Sequence, residues 1–521
     1  MHVNINIISI IPEIIIVVFS LLILMLSAFV GKKFDKFVAL LSALAVFLSL
    51  ISVFLFNFYN QASAFNNSFL TDNFANFFRI FTLIAALIFI GISHNYIKES
   101  VYIKRHLGEF YFLILTIIVG TMLMSSSGDL IMLFISLELV SIPSYILAGY
   151  EKMNSKSNEA ALKYFILGVL ATAILAYGFS IIYGATGEVN LKEIARVVTN
   201  KSLLSSTSIV SDINNLNNLN GIANDSANIN NFINVKFGGN FVLIIGIIMS
   251  LVGFGFKVGA APFHWWAPDT YEGSPTIITT LITTIVKIAA FSGLIRFLFV
   301  GFGSFGKSLW IVLFIILLSL LSVILGNLIA LPQKNFKRLM AYSSIAHAGY
   351  IMIGFAVATI EVQFAIFIYL MAYISMNLGA FAVAMLVERA RKSEEISAFA
   401  GIGQTNPFIS ICMVIFLISM VGLPPFAGFL GKLFVFKAGV ENNLTWLVII
   451  GVLTSVISLW YYVKIIRHMF FVKYEGDESA AKIIAPKLTL ILIALLALFT
   501  IAMVVVPAVF ISISKSAVVF F

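Results

Sequence analysis

Charge is the scarcest property of this chain: only 11% of its 521 residues are charged, while 61% are hydrophobic. So little charge cannot coat a water-soluble protein of this length, and the apolar residues continue in runs long enough to cross a bilayer. The single cysteine, Cys412, excludes an intramolecular disulfide framework. The six histidines are scattered and form no Cys/His metal pattern. No glycine-rich nucleotide fingerprint and no redox cofactor site is visible. The opening Met1-His-Val-Asn-Ile-Asn has neither a basic region nor a cleavage site of small residues, so the first apolar run is expected to stay as a helix. The net charge of +9 comes from Lys and Arg in short loops and forms no stripe, which argues for topology signals and against nucleic acid.

Fourteen apolar segments of spanning length are present, near 8–30, 37–56, 74–93, 109–127, 129–148, 155–184, 241–262, 275–300, 309–331, 338–357, 364–387, 407–436, 443–471 and 486–514. Basic residues gather in loops after odd-numbered segments, as with Lys32, Lys33 and Lys36, then Lys98, Lys104 and Arg105, then Lys334, Lys337 and Arg338. Loops after even-numbered segments carry little beyond Lys307 and Lys437. The positive-inside bias therefore places both termini on the non-cytoplasmic side. A polar stretch near 185–240, asparagine-rich between Asn214 and Asn231, reads as a flexible surface excursion.

An internal repeat is also present. Ser250-Leu-Val-Gly253 leads to Lys257, and Ser419-Met-Val-Gly422 leads through Pro424-Pro425 to Lys432. The two copies lie an odd number of segments apart, so their helices run in opposite directions. Two inverted five-segment units follow, segments four to eight and nine to thirteen. The chain then divides into an N-terminal three-helix region at 1–108, a first repeat at 109–300 containing the polar loop, a second repeat at 301–471 and a C-terminal helix at 472–521.

The ionisable groups inside these segments carry the functional expectation. Lys257 stands five residues before Pro262 and seven before His264, at the head of Phe263-His264-Trp265-Trp266-Ala-Pro268-Asp269-Thr-Tyr271-Glu272-Gly273-Ser-Pro275. An ammonium at membrane depth costs roughly 2.5 kcal/mol or more, so it requires a partner, a water-filled cavity or loss of its proton. Proline frees helix carbonyls nearby, and a broken helix beside an ionisable group points to an ion pathway. Glu138 lies roughly 18 Å of helix from the end of segment five. Lys163 is expected at a comparable depth in segment six, where an ion pair would lower the cost of both charges; snorkelling to the surface is its alternative. Lys287 falls near the middle of segment eight, and Lys432 beyond the proline break of segment twelve. His264 is divided between a relay and an interfacial residue beside two tryptophans. His347, among the hydroxyls of Tyr342, Ser343, Ser344 and Tyr350, is a deeper relay candidate. Arg79, Arg296, Lys464 and Arg467 read as snorkelling anchors near segment ends.

Fourteen segments, a glutamate in the fifth, lysines in the sixth, seventh, eighth and twelfth, and the Phe263-to-Pro275 signature together resemble the antiporter-like membrane subunits of respiratory complex I. The resemblance covers nearly the whole chain. It implies an all-α polytopic protein with two inverted half-channels and with segments seven and twelve interrupted. It further implies that Glu138 controls the first half-channel opposite Lys163 or Lys257, that Lys287 connects the halves, that Lys432 serves the exit side, and that His264 and His347 assist. Proton translocation coupled to redox chemistry in other subunits follows, with NADH, FMN, iron–sulfur clusters and quinone bound there and none in this chain. Other membrane-arm subunits and the lipid of a bacterial inner membrane are the implied surroundings. One sister subunit has glutamate where Lys432 stands and another extends into a long lateral helix, whereas this chain ends at Phe521 soon after segment fourteen. The asparagine-rich loop departs from the family. A monovalent cation/proton antiporter subunit and a structural spacer are the alternative readings.

Overall fold

The structure, a computed structural model, describes residues 6–30, 35–57, 62–97, 101–199, 226–303, 308–359, 361–474 and 482–519. Most of the asparagine-rich part of the polar loop, 214–225, lies outside the described residues, as do Lys32, Lys33, Lys98 and Lys307. Helices dominate: α1 (Ile11–Val30), α2 (Asp35–Ser52), α3 (Asn73–Ile97), α4 (Leu107–Ser125), α5 (Leu130–Ala148), α6 (Ser155–Thr186), α7 (Ser226–Val258), a short α8 (Trp266–Gly273), α9 (Thr276–Thr283) and α10 (Ile285–Ile295). The second half continues with α11 (Leu309–Ala330), α12 (Phe336–Val357), α13 (Val362–Arg391), α14 (Pro407–Val421), α15 (Ala427–Glu441), α16 (Thr445–Phe471), α17 (Lys487–Val505) and α18 (Pro507–Ser516). A hairpin of β1 (Ala62–Ala64) and β2 (Phe69–Thr71) is the one sheet among the described residues.

Thirteen spans among the described residues are long and apolar enough to cross a membrane. The fourteenth expected segment is the broken pair α14 and α15, each too short to count as a span by itself. Sequence chemistry sets the ends of the helices. Asp129, Asn154 and Asn335 cap α5, α6 and α12 by accepting from the backbone N–H of Met132, Lys156 and Arg338. The polar loop proves less extended than expected: helical backbone occupies 191–199, and α7 begins at Ser226. Leu191, Ile194 and Val198 are buried, and this apolar spacing holds the short helix against the bundle.

The core lies where the apolar windows of the α9–α10 span, α12 and α13 are wholly enclosed by other helices, whereas α1, α11 and α17 leave much of their surface for lipid. Lipid is as apolar as leucine, so enclosure here depends on close packing and polar contacts. Both expected helix breaks form. α7 stops at Val258 and Gly259 takes φ 71°, while α14 stops at Val421 and Gly422 takes φ 88°, a left-handed conformation that glycine adopts without a Cβ clash. Each break also holds a cis X–Pro bond, at Ala261–Pro262 and Pro424–Pro425. A third irregularity was not foreseen. Thr284, at φ −112° and ψ −81°, leaves the helical region three residues before Lys287 and separates α9 from α10.

Arg79 and Arg296 are not snorkelling anchors; both are fully buried. Arg79 Nε meets Glu13 Oε1 at 2.8 Å, joining α3 to α1. Arg296 donates to both carboxylate oxygens of Asp72 at 2.6 and 2.5 Å and to the Ser125 carbonyl at 2.9 Å. Its guanidinium also covers the Phe74 ring at 4.5 Å. A planar fork with five donors suits this arrangement, in which the end of the Lys287-bearing helix is tied to the start of α3. Asp72→Ala is expected to leave a buried guanidinium without its anion and to cost about 3 kcal/mol, read as a lower thermal inactivation midpoint. The Asp72→Ala, Arg296→Met double variant is expected to lose less than the two single changes added together.

Candidate functional site

Three buried lysines form the frame of the site, and the two glycine breaks bring them into one line. Lys257, on the last turn of α7, donates from Nζ to Ser141 Oγ at 2.5 Å and to Tyr145 OH at 2.7 Å. Ser141 and Tyr145 follow Glu138 on α5 at helical spacings of three and seven, so all three share one face. Glu138 Oε1 is buried without a hydrogen-bond partner, and Glu138 is the charge that acts on Lys257. The two do not form an ion pair among the described residues; hydroxyls take the ammonium. Lys163 sits apart from Glu138. Its side chain is 43% exposed and binds Asp269 and Glu159, each at 2.7 Å.

Lys287 reaches the other side of the α7 break. A Cβ placed on Gly259 would lie 4.0 Å from Lys287 Nζ, so the bend carries the backbone to the ammonium. Nζ donates to the Ser344 carbonyl at 3.1 Å and lies 5.6 Å from the Tyr373 ring centroid. Ser344 Oγ accepts from Tyr373 OH at 3.1 Å and also meets Tyr271 OH at 3.3 Å. His347 follows one turn along α12. Its Nδ1 shares a 2.8 Å hydrogen bond with Tyr369 OH, and its Nε2 lies 3.4 Å from Tyr462 OH, which in turn bonds Ser343. The imidazole is 5.5 Å from the Tyr373 ring and 6.0 Å from the Tyr350 ring, between centroids.

Tyr350 leads to Lys432, whose ammonium lies 4.6 Å from that ring. Lys432 Nζ donates back across the break to the carbonyls of Met420 at 3.2 Å and Val421 at 2.7 Å, and to Ser455 Oγ at 2.7 Å. Those carbonyls end α14, so the lysine supplies the partners and the positive charge that a helix C-terminus lacks. Gly428 makes this close return possible: a Cβ there would fall 1.8 Å from the Ser419 carbonyl oxygen. His264 stands at the first break, buried, with Nδ1 unpartnered and its ring stacked at 5.2 Å on the exposed Trp265.

Lys257, Lys287 and Lys432 are thus held by hydroxyls, carbonyls and ring faces. Such partners stabilise an ammonium without fixing it, because no anion is stranded when the proton leaves. The hydroxyl partners Ser141, Tyr145, Tyr373 and Tyr369 escaped the sequence reading, whereas Ser344 was among the hydroxyls expected around His347. The signal was available for the first two, since Glu138, Ser141 and Tyr145 recur at helical spacing.

A second polar group lies at the surface end of the same helices. Arg338 bonds Asp269 at 2.8 Å and Glu272 at 2.9 Å, and Lys163 holds the other oxygen of Asp269, so α6, α8 and α12 are joined. Partial burial works to raise the Asp269 carboxyl, but the hydrogen bonds from Lys163 and Arg338 outweigh it and hold the group below its ordinary value. A carboxyl lowered by folding contributes stability that is present above the usual carboxylate pKa of about 4 and is lost as pH falls through the lower folded value. Thermal stability followed from about pH 6 to about pH 3 is expected to fall less steeply in Asp269→Asn than in the unaltered protein.

The described residues contain no group of three or more His, Cys, Asp or Glu able to hold a metal ion. A many-span bundle with two glycine-broken helices and a row of buried lysines defines a membrane protein built to keep ionisable groups inside the bilayer. Residues 127–458 match the family described as NADH:quinone oxidoreductase/Mrp antiporter, TM, and the chain belongs to that family. NADH-quinone oxidoreductase subunit N of Trichlorobacter lovleyi is 37% identical over 489 residues, covering 93% of this chain and 91% of the relative. A chain of respiratory complex I from Thermus thermophilus with bound aureothin superimposes with a TM-score of 0.75 at 28% identity, covering 96% of this chain and 99% of that one. A chain of the Mrp complex from Dietzia sp. DQ12-45-1b gives a TM-score of 0.77 at 16% identity, covering 98% and 97%, a likeness of fold alone.

Proposed function

We propose that this chain is the proton-translocating membrane subunit of an NADH:quinone oxidoreductase and that its protons pass along Lys257, Lys287, His347 and Lys432. The observation that carries the reading is the order of these groups through the core: Lys287 lies beside the Gly259 bend two residues after Lys257, Ser344 and Tyr373 lie between Lys287 and His347, and Tyr350 lies between His347 and Lys432. Relatives named subunit N at 37% identity favour the redox-driven complex over the cation/proton antiporter, whose solved example shares 16%. In this reading NADH, FMN, iron–sulfur clusters and quinone bind other subunits. The basic loops face the cytoplasm of a bacterium and both termini face away from it.

Control comes from Glu138. A carboxylate brought to about 6 Å from an ammonium stabilises it by roughly 3 kcal/mol at an effective dielectric of 20, a factor of about a hundred in proton affinity. Withdrawing Glu138 from Lys257, or returning it, therefore unloads or loads the first lysine. The Ser141 and Tyr145 hydroxyls hold Nζ in place through both states. A proton released at Lys257 has Lys287 beside the Gly259 bend as its next acceptor, with His347 and Lys432 beyond.

Lys287→Ala tests the proposal in membranes where complex content is checked on a native gel. Loss of both proton pumping and electron transfer in fully assembled complex is the expected result. Unchanged pumping would remove Lys287 from the route and support a structural spacer, and sodium-dependent transport by the unaltered chain would support the antiporter.

A further inference from the structure

Another carboxylate, half-buried at the edge of the core, has no part in the route above. Glu388, near the end of α13, accepts from Tyr96 OH at 3.2 Å through Oε1, while its Oε2 is buried without a hydrogen-bond partner. The Thr276 hydroxyl on the first turn of α9 is the next group to act on this carboxylate, and Thr276 Oγ1 is likewise buried and unpartnered. The other charges facing it are Lys337 and Glu394. Lys337 is buried, donates to the Ser274 carbonyl at 2.8 Å and pairs with Glu394 at 2.5 Å. Glu394 in turn lines an open polar cavity of about 560 Å³, shared with Lys156, Glu272, Gln333, Asn335 and Arg338. Glu394 and Lys337 are thus paired between the cavity and the half-buried Glu388 carboxylate.

From Thr276 inward, α9 offers a row of threonine hydroxyls among apolar residues. Thr276, Thr280 and Thr283 recur at intervals of four and three, which places all three on one side of α9, and Lys287 follows beyond the Thr284 kink; all four are buried. The Thr280 and Thr283 hydroxyls donate to the carbonyls of Thr276 and Thr279, leaving their lone pairs to accept. The seven residues from Thr276 to Thr283 cover roughly 10 Å of helix, in steps of about 5–6 Å that one water bridges. The opposite wall is α13, which presents Glu388 at the Thr276 end and Tyr373 at the Lys287 end.

We propose that Glu388 is a proton-uptake site that supplies Lys287 directly from the cavity along the threonine face of α9, in parallel with delivery through Lys257. A proton taken up by the Glu388 carboxylate leaves its O–H bond, passes over the Thr276, Thr280 and Thr283 hydroxyls and ends in an N–H bond on Lys287. The inference rests on the proposed proton route, because it needs Lys287 to accept protons.

The test compares Glu388→Gln, Glu388→Asp, Thr280→Val and Lys287→Ala in membranes matched for assembled complex, with pumping measured against pH. Glu388→Gln keeps the bond from Tyr96 but holds no exchangeable carboxyl proton, so a partial loss of pumping is expected, with the share delivered through Lys257 remaining. Glu388→Asp is expected to restore pumping with an altered pH profile, and Thr280→Val to lower pumping while Glu388 is intact. Full pumping in both Glu388→Gln and Thr280→Val, with Lys287→Ala inactive, would overturn the uptake site and leave the main route standing. Full pumping in Lys287→Ala would overturn both. Loss in Glu388→Gln that Glu388→Asp does not relieve, with Thr280→Val unaffected, would assign Glu388 a structural role and overturn the proposal.

Discussion

The cost of placing charge inside a bilayer governs this protein. Each ionisable group in the core is unfavourable unless something compensates it, and the fold provides three kinds of compensation. Arg79 and Arg296 receive carboxylates and become fixed joints. Lys257 and Lys287 receive hydroxyls, carbonyls and aromatic faces. Lys432 receives the exposed end of a broken helix. The arginines have anions as partners, which hold them as joints, whereas the partners of the lysines are neutral, as the proposed route requires.

The broken helices follow from the same constraint. A continuous helix has no free carbonyl to offer an ammonium, and an interrupted one has several. Gly422 reverses the chain so that Lys432, ten residues on, can return to the carbonyls of Met420 and Val421. Gly259 makes the corresponding turn where Lys257 and Lys287 come closest to one backbone. The interruptions therefore make charge tolerable at that depth and join the two halves of the bundle.

Much of this was legible in the amino-acid sequence because the cost of buried charge is local. A lysine in an apolar run, a proline or glycine beside it and a repeat of that pattern can be found without knowing any contact. What could not be read was which distant segment supplies the compensation. Arg79 and Arg296 looked like surface anchors because Glu13 and Asp72 lie far away along the chain. Lys163 looked like a partner for Glu138 at equal depth, whereas α8 brings Asp269 to it. Glu388 falls one residue past the apolar run 364–387, although α13 extends to Arg391 and buries one of its carboxylate oxygens. The kink at Thr284 had no glycine or proline to announce it.

The central claim is that the lysines exchange protons and do not merely hold helices together. Arginine at position 432 separates these roles, since a guanidinium retains the charge, the carbonyl contacts and the stacking on Tyr350 but does not give up its proton near neutral pH. The decisive quantity is the number of protons pumped per electron in vesicles containing assembled complex with Lys432→Arg. A clear fall in that ratio, at normal complex content, is the predicted result; an unchanged ratio would contradict the account.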